Sequence, residues 1–118
     1  MRKELRAMEI IITEMKRCVL VSVSGRVDGS TAPDLDKAIK SLQDNGHFRI
    51  VLDMGGVTFL SSAGIGVLIG SWKTSRRWNR GDVRLANLPP KIMDVLELTG
   101  LDKHFTQFDS TVEAVGSF

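Results

Sequence analysis

One cysteine in 118 residues cannot close a disulfide within the chain. Cys18 therefore fits a reducing compartment, where it reads as a small buried hydrophobe in a strand. No apolar run approaches the roughly 20 residues that cross a bilayer. Charges interrupt every apolar stretch near the start, so no signal peptide is expected there. His47 and His104 stand alone, and no cysteine, histidine and carboxylate spacing matches a metal site. There is no Gly-x-Ser-x-Gly elbow and no recognisable catalytic triad. A formal charge of +2 is too small to imply nucleic acid by itself. Repeats, low-complexity tracts and interdomain linkers are also missing. These absences point to a soluble, cytoplasmic chain that is not an enzyme, needs no metal or cofactor, and binds neither membrane nor nucleic acid.

What is present fits one globular domain. The length supports a single core, and 42% apolar with 25% charged residues is ordinary for a soluble fold. Residues 1–7 are charged and read as an extension, with the domain proper over residues 8–118. Glu9 to Thr13 and Arg17 to Ser24 read as strands joined through Glu14-Met15-Lys16 into an antiparallel hairpin. Val19, Val21 and Val23 share one face of the second, opposite Leu20, Ser22 and Ser24. Thr31 with Asp34 forms a capping-box-like helix start, and Pro33 suits the first turn. Leu35, Ala38, Ile39 and Leu42 then recur at helical spacing up to the stop at Asn45-Gly46. A short strand over Arg49 to Met54 follows. Further on, a helix to about Asn79, a strand over Val83 to Ala86, a helix over Pro90 to Leu98 before Gly100, a strand over Phe105 to Phe108 and a last helix over Thr111 to Val115 are expected. Strands alternating with helices predict an α/β domain. Its sheet is mixed but mostly parallel, with four to five strands, an N-terminal β-hairpin and about four helices.

The stretch from Val51 to Leu68 carries the most information. Its apolar strand is expected to end in a short loop, after which Ser61 and Ser62 stand at the mouth of a glycine-containing helix. A hydroxyl there lies beside the positive helix end, which favours negative charge placed on it. Read from physics alone, Ser62 is either a helix N-cap or a phosphoacceptor. Asp28-Gly29 reads as a turn. Gly64, Gly66 and Gly70 follow a strand, but the third glycine is one place late for a dinucleotide fingerprint and no P-loop Lys-Ser/Thr follows. Close helix packing on the sheet and room for a partner are the better reading. Lys73, Arg76, Arg77 and Arg80, with Trp72 and Trp78, read as favourable charge at a helix C-terminus, with Trp72 in the core.

The run Ser61-Ser62-Ala63-Gly64-Ile65-Gly66 resembles the signature of STAS domains, in particular the bacterial anti-sigma-factor antagonists, where Asp-Ser-Ser-Gly-Leu-Gly opens a helix. Ser24 to Ala32 resembles the second landmark of that family, a Gly-x-x-Asp turn running into a Thr-Ala helix start. The resemblance extends from about Met8 to Val115. It implies that Ser62 is the phosphorylated residue, and that Asp28, Thr31, Ser61, Ser62, Ala63 and Gly64 form the partner-binding rim. It further implies an anti-sigma-factor serine kinase and a metal-dependent serine phosphatase as partners, with the chain a monomer or weak dimer. Two departures stand out: Ser61 replaces the usual Asp, and Ala63 replaces the second serine. The first leaves Ser61 open as an alternative acceptor. A scaffold subunit of a larger STAS assembly, or a nucleotide-binding module, are the alternative functions.

Overall fold

The computed structural model describes residues 7–78 and 81–118. The extension expected over 1–7 therefore lies, except for Ala7, outside the described residues, as do Asn79 and Arg80.

Five strands form one sheet in chain order, β1 (Met8–Glu14), β2 (Val19–Val27), β3 (Arg49–Leu60), β4 (Asp82–Ala86) and β5 (Gln107–Phe108). β1 pairs antiparallel with β2, and every later pairing is parallel. The helices are α1 (Ala32–Asp44), α2 (Ser62–Arg77), α3 (Pro90–Thr99) and α4 (Thr111–Gly116). Parallel neighbours laid down in chain order need three crossovers of one hand, which stacks α1, α2 and α3 on the same face of the sheet. Their buried side chains Leu35, Ile39, Leu68, Ile92 and Leu96 meet Val19, Val21, Val23, Ile50, Leu52 and Leu85 in the main core. On the other face, Ala114 of α4 packs with Cys18, Val51 and Ala86 in a smaller cluster. The expected α/β architecture, hairpin and four helices are thus observed, and Cys18 is buried as expected, one residue before β2.

The largest difference from the sequence reading is β3. It continues six residues past Met54, through Gly55-Gly56, where a loop was expected. Two bulges explain this. Ser22 pairs with Asp53 but Ser24 with Gly56, and Gly25 pairs with Val57 but Arg26 with Phe59, so β3 gains two residues on β2. The buried positions become Met54, Val57 and Leu60, a spacing of three that hides the usual alternation of a strand. Gly56 is needed there because a Cβ would lie 2.7 Å from the Cβ of Ser24.

Smaller differences follow local chemistry. α2 ends at Arg77, and a short 3-10 turn at Leu101–Lys103 delays β5 to Gln107. α3 stops at Gly100, whose φ of 75° is the left-handed cap that glycine adopts without strain. Asn87 also takes a left-handed conformation, and its amide donates to Asp53 Oδ1 at 3.0 Å and to Thr111 Oγ1 at 2.9 Å. That network ties the start of α4 to the sheet.

Candidate functional site

The C-terminal ends of β2 and β3 lie side by side, and the α1 and α2 starts rise from them. Ser61 N–H donates to the Val27 carbonyl at 2.9 Å, which joins the two turns into one rim. Ser61 is the N-cap of α2, with extended backbone and a hydroxyl that accepts from Gly64 N–H at 3.4 Å. Ser62, weighed as the cap from sequence, is instead the first helical residue. It is exposed, and its hydroxyl makes no hydrogen bond among the described residues. The first-turn N–H groups around it have no intrahelical acceptor, and no acidic side chain stands in that turn to offset the positive helix end.

Serine and aspartate cap helices about equally well. Ser61 therefore keeps the cap that an Asp would give and lacks only its charge. Ser61→Ala should lower stability by about 0.5–1 kcal/mol, the low end of the capping range because the bond is long, whereas Ser61→Asp should hold it. Urea midpoints of the three proteins measure this directly.

Asp28 and Thr31 exchange the roles expected for them. Thr31 sits at the N-cap of α1 but makes no side-chain cap bond, and Asp34 gives no capping box. Its hydroxyl donates to the Arg26 carbonyl at 2.7 Å and accepts from Asp28 N–H at 2.9 Å, closing the loop. The Asp28 carboxylate takes the helix start instead, accepting from Ser30 N–H at 3.0 Å, the Ser30 hydroxyl at 2.8 Å and Thr31 N–H at 3.2 Å. The Ser30 hydroxyl and N–H, then those of Thr31, hold the Asp28 carboxyl below its usual value of 3.8. Because the folded state favours the carboxylate, its stabilising contribution is complete above that usual value and fades as pH falls through the lowered one. Asp28→Asn should remove this part of the acid dependence. A urea midpoint that drops as steeply below pH 4 in the variant as in the parent would contradict the assignment.

The structure adds two residues that sequence reasoning missed. Arg26 pairs in register with Phe59, and its guanidinium lies 4.2 Å from the centre of that ring. Its Nε is also 3.6 Å from Asp28 Oδ2. Only the bulges in β3 bring these residues opposite each other, so no sequence signal marked them. Phe59 remains 39% exposed, an aromatic contact available on the rim.

The three helical glycines divide. A Cβ on Gly64 would lie 2.6 Å from Leu60 Cδ1 and 2.8 Å from Val27 Cγ1, so this glycine lets α2 sit down on the sheet. Gly66 and Gly70 have nothing within 4 Å and are exposed, which corrects the packing role expected for them. Ala63 is exposed beside Ser62. At the far end of α2, Arg76 pairs with Asp82 at 3.5 Å and lies over Trp72, while Trp78 stacks on Phe48. Trp72 packs on the core, and Lys73, Arg76 and Arg77 are exposed. Among the described residues no cluster of histidine, cysteine and carboxylate groups could hold a metal, and no helix is long and apolar enough to cross a membrane.

A sheet of this order, with a serine exposed where its longest strand passes into a helix, defines a class of small α/β domains. The STAS domain family matches residues 9–114, and the chain belongs to that family. The anti-sigma F factor antagonist of Paenibacillus polymyxa is 26% identical over 112 residues, covering 92% of each chain. The crystal structure of an anti-sigma factor antagonist from Mycobacterium paratuberculosis superposes with a TM-score of 0.84 at 26% identity, over 93% of this chain and 92% of that one. The Bacillus cell fate determinant SpoIIAA has the same fold at 18–19% identity. Its unphosphorylated form gives a TM-score of 0.78 over 91% of this chain and 93% of that one. Its phosphorylated form gives 0.75 over 92% and 98%.

Proposed function

We propose that this protein is an anti-sigma-factor antagonist, a binding module rather than an enzyme, and that phosphorylation of Ser62 switches it off. In the unphosphorylated state the rim around Asp28, Thr31, Ser61, Ser62, Ala63 and Gly64 docks on an anti-sigma-factor serine kinase and sequesters it, which frees a sigma factor. The kinase transfers the γ-phosphoryl group of ATP to Ser62 Oγ, with loss of the hydroxyl proton and release of ADP. A metal-dependent phosphatase then hydrolyses the ester and resets the switch. The protein acts as a monomer or weak dimer.

The observation that carries this reading is the division of labour between the two serines. Ser61 is engaged as the cap, and the Ser62 hydroxyl is exposed and uncommitted at a positive helix end. Phosphorylation places roughly −1.5 to −2 charges there. The helix end offsets on the order of 0.3–1 kcal/mol of that charge, so the fold survives and the effect falls on the interface. The test is site mapping by mass spectrometry after incubation with ATP and an anti-sigma-factor kinase from the same genome. One phosphate on Ser62 is expected. A phosphate on Ser61, or none with any such kinase, would overturn the assignment.

A further inference from the structure

At the opposite end of the sheet, where the parallel strands begin, two segments bring cations around one open cleft of about 370 Å³. Lys16 and Arg17 come from the turn between β1 and β2, held by the bond from Met15 N–H to the Cys18 carbonyl at 2.9 Å. His47 comes from the connection after α1, and Arg49 opens β3. The nearby carboxylate, Glu14, is taken up by His47 Nε2 at 3.2 Å. Lys16, Arg17 and Arg49 have no carboxylate partner among the described residues. Cys18 lines the cleft without adding negative charge, because burial pushes its thiol up and keeps it neutral at neutral pH. Phe48 forms a wall braced by Trp78, with ring centres 6.2 Å apart.

Three like charges gathered at one concave site repel one another unless an anion joins them. Two guanidinium forks and an ammonium suit phosphate oxygens, which accept paired N–H bonds. The cleft volume lies at the small end of the range for ligand sites. We propose that this cleft binds a phosphate-bearing anion, held by Lys16, Arg17 and Arg49 with His47 at its edge. Since β3 runs for 12 residues between Arg49 and Leu60, the cleft stands about 30 Å or more from Ser62 at ~3.3 Å per residue.

The test is an NMR titration of the full chain with sodium pyrophosphate, against sodium chloride at matched ionic strength. Saturable shifts at Lys16, Arg17, His47 and Arg49 are expected at millimolar pyrophosphate or below, and not with chloride. The double charge reversal Lys16→Glu with Arg17→Glu lies on an exposed turn, so its thermal midpoint should stay near that of the parent. It should weaken binding at least tenfold, and Ser62→Ala should leave it unchanged. Cosedimentation with phosphatidylglycerol vesicles that the double variant abolishes would assign the phosphate to a lipid headgroup. Pyrophosphate binding without cosedimentation would assign it to a free phosphate. Shifts elsewhere on the surface, equal shifts with chloride, or full binding by a folded double variant would overturn the proposal.

Discussion

Ser62→Glu is expected to lose at least a hundredfold in affinity for the anti-sigma-factor kinase, while Ser62→Ala binds it constitutively and no longer responds to ATP. Like charges placed across an interface cost several kcal/mol, and each 1.4 kcal/mol is about tenfold. Ser62 is exposed at the first helical position, and its hydroxyl supports no bond among the described residues, so neither substitution removes a contact from the fold. Both variants should therefore melt within a few degrees of the parent, with Ser62→Glu gaining slightly from the helix dipole. Affinity by calorimetry, with thermal melts of the same samples, measures the two effects separately. Unchanged binding by a folded Ser62→Glu variant would sink the switch. Unfolding of that variant would show that Ser62 serves the fold, against its observed exposure.

The second large effect concerns glycines on one helix whose substitutions should act with opposite sign. Gly64→Val places carbon where the first added atom already meets Leu60 and Val27, both buried, and the Val27 carbonyl lies 3.2 Å away. Overpacking of this kind costs about 1–3 kcal/mol, a fall in melting temperature on the order of 10 °C for a domain of this size. It also lifts the turn that carries Ser62, so kinase binding should fall with stability. Gly66→Ala and Gly70→Ala meet only open space at helical backbone angles. Each should stabilise by up to about 1 kcal/mol, because alanine loses less backbone entropy in a helix. Gly66 lies one helical turn from Ser62, on the exposed side. A Gly66→Ala variant that melts higher and binds the kinase less tightly would mark that glycine as part of the rim. Melting curves that rank Gly64→Val above the parent would contradict the packing on which this rests.

Much of this could be read from the chain. The valines of β2, the apolar spacing of α1 and the stops at Asn45-Gly46 and Gly100 are local signals, and each stands where it was expected. The alternation of strand and helix determined the sheet class, because parallel neighbours require crossovers and the crossovers were visible as helices. The two landmarks around Asp28 and Ser62, each a short local run, carry the STAS resemblance. Such features depend on residues within one or two turns of each other, and sequence order already brings these together.

Tertiary structure alone decided the rest. Two adjacent serines are interchangeable as caps on paper, and the register of β3 against β2 determines which one caps the helix and which begins it. The same bulges convert Gly55-Gly56 from an expected loop into strand, and set Arg26 over Phe59. Asp28 rather than Thr31 holds the start of α1, because the Thr31 hydroxyl faces back into the loop, where it accepts from Asp28 N–H and donates to the Arg26 carbonyl. The cleft of Lys16, Arg17, His47 and Arg49 joins segments some thirty residues apart in the chain. In each case the outcome depends on which partner a group meets across the sheet, and that partner is chosen by the packing of the whole domain rather than by its neighbours in sequence.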